Sequence, residues 1–171
     1  MRYNHALFLN PYIESHATST MKLFPPTGLE YVATSAKGLV NKLTLLDLRY
    51  EKHLADTNNL LDFISKEIDI ICVGIGWDRQ FKEICELLNR FPDNIPLVVG
   101  GYKATEMVGE LFKSCPTIDI IVRGEGEETM LELVQALEEG KGLKKVFGIS
   151  FKQKRKIVHN PSRPLIKNLD K

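Results

Sequence analysis

Ile70-Ile71-Cys72-Val73-Gly74-Ile75 is an unbroken apolar run, and its continuity decides the fold. A strand with one wet face alternates polar and apolar residues, whereas a strand apolar in both phases is covered on both faces, as in a parallel sheet. Four further stretches read the same way: residues 6–9, closed by Asn10-Pro11; residues 43–48; Leu97-Val98-Val99, followed by Gly100-Gly101; and residues 118–122. Between them apolar residues recur at helical spacing. The stripes are Val32, Ala33, Ala36 and Leu39; Leu60, Leu61, Ile64 and Ile68; Phe81, Ile84, Cys85, Leu88 and Phe91, with Asp78 as the expected N-cap; Ala104, Met107, Val108 and Leu111; and Met130, Leu131, Val134 and Leu137, ending at Gly140. Core packing accounts for each of them. Strand and helix in alternation with short loops predict right-handed crossovers. The expected fold is therefore α/β: a doubly wound, Rossmann-like (flavodoxin-like) sheet of five parallel strands flanked by helices. Beyond Gly140 residues 147–151 and 157–159 alternate across a polar turn, which predicts a small β-hairpin at about 146–159. Residues 1–159 are thus expected to form the domain. Asn160-Pro161-Ser162-Arg163-Pro164 opens a linker over 160–171.

Composition narrows the function classes. Lys and Arg number 23 against 22 Asp and Glu, a net charge of +1, which argues against nucleic-acid or polybasic membrane binding. The short basic run at residues 152–156 suits a solvated hairpin tip. No apolar run reaches the roughly 18 residues of a transmembrane helix, and the first residues lack a secretory pattern, so a cytoplasmic location is expected. Cys72, Cys85 and Cys115 are widely spaced, with no CxxC pair, and read as buried thiols.

In an open α/β sheet ligands bind beyond the carboxyl ends of the strands. That rule selects residues 10–26, 49–56, 74–78, 100–103 and 123–127, three of them glycine-rich, where backbone can approach a large ligand. These are not dinucleotide fingerprints. A third Gly or Ala is missing after Gly74-x-Gly76, where Arg79 stands, and after Gly124-x-Gly126, where Thr129 stands. The long first loop holds His16 but no recognisable nucleophile–base pair.

Taken in order, the loops resemble those of the cobalamin-binding domain that precedes the catalytic domain of cobalamin-dependent radical S-adenosylmethionine enzymes, the methyltransferase and oxidative-cyclase group. The matching segments are Phe24-Pro25-Pro26-Thr27-Gly28-Leu29-Glu30-Tyr31, Asp69-Ile70-Ile71-Cys72-Val73-Gly74-Ile75, Val98-Val99-Gly100-Gly101-Tyr102-Lys103-Ala104-Thr105, Val122-Arg123-Gly124-Glu125-Gly126-Glu127-Glu128-Thr129 and Arg163-Pro164-Leu165-Ile166-Lys167-Asn168-Leu169-Asp170. The resemblance implies a cobalamin cofactor. Tyr12, Gly74, Gly76, Trp77, Gly100, Gly101, Tyr102, Gly124, Glu125 and Gly126 are the residues expected to bind it. Gly100 and Gly101 would let its nucleotide tail pass close to backbone, so a bulky residue at 101 is expected to fill the tail's slot and leave the fold intact. Gly76 stands where the group often has Ser, and Tyr102-Lys103 where it often has Pro-His. The [4Fe–4S] cluster, S-adenosylmethionine and the substrate would belong to a catalytic domain, whose CxxxCxxC motif this sequence lacks. Glu14-x-His16 keeps part of the DxHxxG motif through which other carriers ligate cobalt, without its Gly. The expectation is that His16 is not the ligand and that Tyr12, Ile13 or Leu23 covers the lower face. The alternative is a stand-alone α/β binding or regulatory domain that does not bind cobalamin. Its receiver-like form wants acidic residues after the first strand and an Asp ending the third, which Leu9-Asn10 and Gly76 do not supply.

Overall fold

The five apolar runs become five parallel strands of one sheet in a computed structural model that describes residues 3–13, 24–154 and 156–166. They are β1 (His5–Asn10), β2 (Lys42–Asp47), β3 (Ile70–Gly74), β4 (Leu97–Gly100) and β5 (Ile120–Val122), in the order β2-β1-β3-β4-β5. The predicted hairpin, β6 (Ile149–Gln153) and β7 (Lys156–His159), adds to the same sheet: β6 runs antiparallel to β5 and β7 antiparallel to β6. The sheet is therefore mixed and seven-stranded, with the parallel edge at β5 covered by the chain's own hairpin. Of the basic run, Lys152 lies on β6, Lys156 opens β7 and Lys154 takes φ 58° between them.

Period-two alternation sorts the strand residues to two faces. Ala6, Phe8, Ile70, Cys72, Val98, Ile120 and Val122 face a layer made by α1 (Thr27–Ala36) and α7 (Glu127–Glu138). Leu7, Leu9, Ile71, Val73, Leu97, Val99 and Ile121 face the other layer. That layer contains α3 (Thr57–Glu67), α4 (Phe81–Leu88), α5 (Tyr102–Glu106) and α6 (Val108–Ser114), with the single turn α2 (Lys52–Ala55) leading into α3. The chain leaves β1 toward β2 on one side and returns to β3 on the other, so the crossover direction reverses between β1 and β3. In this class of sheet that reversal marks the ligand crevice.

Four helix readings are corrected. Asp78 does not cap α4 with its side chain: the helix begins at Phe81, Gln80 precedes it in the left-handed region, and the Asp78 carbonyl accepts the Phe81 N–H. The stripe from Ala104 to Leu111 is two short helices broken at Met107. On α7 it is Leu133, not Leu131, that is buried, because Thr129, Met130, Leu133 and Val134 form the inward face. The first helix ends at Ala36, short of Leu39 in its stripe, before Gly38 at φ +99°. Asp56 is the side-chain cap that the sequence reading did not single out, its carboxylate accepting from the N–H groups of Asn58 and Asn59 at 3.0 and 3.1 Å.

One buried ion pair seats the loop that enters α1. The Arg49 side chain is fully buried, its Nε donates to Asp47 Oδ1 at 2.9 Å and its Nη2 to Asp47 Oδ2 at 2.5 Å. The same Nη2 donates to the Phe24 carbonyl at 3.0 Å, fixing the Phe24-Pro25-Pro26 turn against the end of β2. Removing one partner of a buried pair strands the other charge. Asp47→Ala is expected to lower stability by about 3–5 kcal/mol in chemical denaturation. Asp47→Leu combined with Arg49→Met should recover most of that loss, because no lone charge is left inside.

Candidate cofactor-binding cleft

A cleft of about 730 Å³ opens at the carboxyl ends of β1, β3, β4 and β5, on the face covered by α1 and α7. Strand register explains why it exists. Phe8, Cys72, Val98 and Ile120 pair in one continuous row across the sheet and their side chains fill the space beneath the helices. The next row on that face is Asn10, Gly74, Gly100 and Val122, in which Gly74 and Gly100 are directly paired. Two adjacent strands therefore present no side chain to the helix layer at the same level, and a hollow is left between sheet and helices. A Cβ on Gly100 would touch only Val122, at 3.6 Å or more, so the space above it is open. Above Gly74 the end of Leu29, from α1, leans in to 3.2 Å of where a Cβ would lie. At the far side Gly126 lets α7 close against α1, since a Cβ there would stand 2.9 Å from Val32 Cγ2.

All ten of the predicted positions except Glu125 contribute main chain or aromatic surface to this cleft, and Glu125 also lies on its wall. They do so for different reasons. Tyr12 is a fixed wall: it is buried, its hydroxyl donates to the Trp77 carbonyl at 2.9 Å and accepts the Trp77 N–H at 2.8 Å, and the two rings lie 5.1 Å apart. Burial pushes its phenol up to about 12, so it stays protonated. Trp77 and Tyr102 are exposed on the rim, with Leu165 beside them. Burial likewise pushes the Cys72 thiol on the floor up to about 12, so the floor is neutral as well as apolar.

Gly101 has a role other than the expected one. It sits at φ +104°, and a Cβ there would lie 2.6 Å from the Ile75 carbonyl oxygen and 2.9 Å from its carbon. The Ile75 N–H donates to the Gly100 carbonyl at 2.8 Å, and the Ile75 carbonyl accepts from Lys103 and Ala104 at the start of α5. Gly101 thus lets the ends of β3 and β4 cross at contact distance. A side chain at 101 would strike backbone before it reached the slot. Glu125 is similarly engaged within the chain, its Oε2 accepting the Ile166 N–H at 2.6 Å.

The segment 160–166 is bound to the domain at several points. Arg163 donates from Nε to Thr129 Oγ1 at 2.9 Å and pairs with Glu128 and Glu132, Arg123 donates to the carbonyls of Ile149 and Asn160, and Gly148 N–H donates to Pro161 O at 2.8 Å. The side chains of the Arg123-to-Thr129 motif therefore fasten this segment, while the glycines of the motif face the cleft. His16 and Leu23 lie outside the described residues. Cleft residues that the sequence reading did not single out as ligand contacts are Asn10, Leu29, Val32, Thr105, Glu127 and Met130. No group of three or more His, Cys, Asp or Glu among the described residues could hold a metal ion.

The profile of the B12 binding domain matches residues 17–134. The chain belongs to the B12-binding domain family. Among curated proteins, this B12-binding domain is 31% identical over 146 residues to an uncharacterized methyltransferase of Pyrococcus horikoshii, covering 85% of this chain and 32% of that protein. It is 38% identical over 173 residues to the anaerobic magnesium-protoporphyrin IX monomethyl ester cyclase of Cereibacter sphaeroides, covering 96% of this chain and 28% of the cyclase. The chain spans about a third of the length of these relatives. The fold is that of a radical S-adenosylmethionine methyltransferase, TsrM from Kitasatospora setae, solved with cobalamin and a [4Fe-4S] cluster (TM-score 0.74, 22% identity, 98% of this chain and 30% of that one). It is also that of the cobalamin-dependent radical enzyme OxsB solved with aqua-cobalamin and S-adenosylmethionine (TM-score 0.70, 19% identity, 95% of this chain and 22% of that one). The comparisons give the cobalamin-free binding or regulatory alternative no support.

The neighbouring glycines 100 and 101 separate the two roles. Gly101→Ala is expected to cost about 2 kcal/mol or more in urea unfolding, from the left-handed backbone and the Ile75 contact. Gly100→Ala, at an ordinary φ with room for a methyl, should leave stability within about 1 kcal/mol of the parent or raise it.

Proposed function

We propose that the cleft holds the nucleotide tail of cobalamin and that the corrin lies across its rim, presenting cobalt to a catalytic domain of a larger radical S-adenosylmethionine enzyme of the methyltransferase or cyclase type. The observation that carries this is the paired Gly74 and Gly100, which open a slot between sheet and helices. The cleft, of about 730 Å³, has room for a nucleotide. On this reading Gly74, Gly76, Gly100 and Gly124 give the tail its passage, and Gly126 lets α7 close the far side against α1. Trp77 and Tyr102 give the macrocycle an apolar platform, and Tyr12 holds Trp77 in place. When bound, cobalamin supplies a cobalt centre able to carry a methyl group or take part in radical chemistry. The chain's own residues bind it, orient it and keep water from the slot.

The relation to a catalytic domain rests on the share of its relatives that this chain covers and on the segment 160–166, whose run along α7 brings Leu165 to the cleft mouth. Cluster, S-adenosylmethionine and substrate selectivity would reside in that domain. A cytoplasmic location fits three free, buried thiols. No described helix is long and apolar enough to cross a membrane.

Titration with hydroxocobalamin, followed by visible absorbance, is expected to saturate near one per chain and to raise the Tm of the domain. Gly100→Leu should lower the affinity at least about tenfold while the protein stays folded, because its side chain would enter the slot. A folded parent that shows no saturable binding would sink the proposal. Iron–sulfide reconstitution of the same chain should yield no [4Fe–4S] spectrum and no reductive cleavage of S-adenosylmethionine, since Cys72, Cys85 and Cys115 are buried in separate elements.

A further inference from the structure

Two polar atoms on the cleft wall have no hydrogen-bond partner among the described residues: Nδ2 of Asn10 and Oε2 of Glu127. Only two other buried side-chain atoms among the described residues share that condition, Gln80 Nε2 and Arg123 Nε. Neither of those residues lines the cleft, and both side chains are engaged elsewhere within the chain, Gln80 with the Ile13 N–H at 3.2 Å and Arg123 with Ile149 O at 3.1 Å. Buried polar groups are nearly always paired, because an unpaired one forfeits its water without replacement. An orphan donor and an orphan acceptor in one otherwise apolar cleft are therefore groups whose partner arrives with a ligand.

Their placement says more. Asn10 follows Phe8 on the helix-covered face of β1 and is only 3% exposed, at the level of Gly74 and Gly100. Glu127 opens α7, immediately beyond the turn that follows β5. Asn10 stands at the end of β1 and Glu127 at the start of α7, on different walls of the cleft, so the two groups address different parts of a ligand. Both orphan atoms are sealed from solvent, below the exposed rim of Trp77 and Tyr102. We infer that Asn10 and Glu127 are the specificity contacts for the nucleotide tail. Asn10 Nδ2 donates to a phosphate, ribose or base acceptor, and Glu127 Oε2 accepts from a hydroxyl or N–H of the tail. This rests on the cleft being the cobalamin site. It adds a selection rule: the domain distinguishes corrinoids by their nucleotide, and one without a nucleotide leaves both groups unpaired.

The test compares hydroxocobalamin with cobinamide, which keeps the corrin and lacks the nucleotide, on the 171-residue chain and its variants. The parent should bind cobalamin more tightly than cobinamide. Asn10→Leu and Asn10→Ala should each weaken cobalamin about 3- to 10-fold and Glu127→Met about 10-fold or more, all leaving cobinamide affinity unchanged. The ligand-free Tm of Asn10→Leu should equal or exceed the parent's, because an unpaired buried N–H has been removed at similar shape. That combination, a firmer fold with a weaker ligand, is what a purely structural asparagine could not give. Equal loss of both corrinoids would place the contacts on the macrocycle and overturn the inference, as would unchanged cobalamin affinity or a lowered Tm in Asn10→Leu. A parent that binds both corrinoids equally refutes the inference and leaves the cobalamin assignment standing. A parent that binds neither refutes both.

Discussion

The pairing of Gly74 with Gly100 in the register of β3 and β4 is the constraint on which the rest of the site depends. A parallel sheet buried on both faces normally fills every position beneath its helices, as the row Phe8, Cys72, Val98 and Ile120 does here. One row nearer the carboxyl ends, two central strands carry glycine at the same level, and close packing is interrupted there. The interruption falls beside the point where the crossovers reverse direction, so helices α1 and α7 span the gap without closing it. A slip of either strand by one residue would turn its glycine to the opposite face and put a side chain into the slot. The hollow is a property of pairing as much as of composition.

Around that hollow the chain devotes most of its polar chemistry to holding itself in shape. The Asp47–Arg49 pair fixes the turn before α1, and Tyr12 binds the main chain of Trp77 through both functions of its hydroxyl. Gly101 admits the contact between the ends of β3 and β4. The acidic side chains after β5 hold the segment 160–166. What remains for a ligand is an apolar floor, an aromatic rim, glycine backbone and two orphan polar atoms. That composition suits a bulky, largely apolar cofactor with a few fixed polar groups.

Much of this was legible in the sequence. Continuous apolar runs gave the five parallel strands, and the glycine-rich strand ends gave the cleft, because both signals are local. Pairing partners were not legible, so Gly74 and Gly100 read as two permissive loops rather than one slot. Asn10 looked like the residue that closes a strand, since nothing in a lone Asn-Pro shows which face it takes or that its amide lacks a partner. Gly101 read as space for a ligand because the main chain it touches, at Ile75, is 26 positions away and brought near only by the sheet. Leu131 and Leu133 both fit a helical stripe loosely, and the packing of α7 against β5 and α1 chose Leu133. Glu125 read as a ligand contact and Glu128 only as part of a motif, while their partners Ile166 and Arg163 stand some 35 to 41 residues along.

The most direct test of the account is a crystal structure of this domain with hydroxocobalamin. The account predicts the nucleotide tail within the slot above Gly74 and Gly100, between the sheet and helices α1 and α7, with the corrin across Trp77 and Tyr102. A corrinoid bound on any other surface, or bound at the rim with its tail outside and the slot closed, would contradict it.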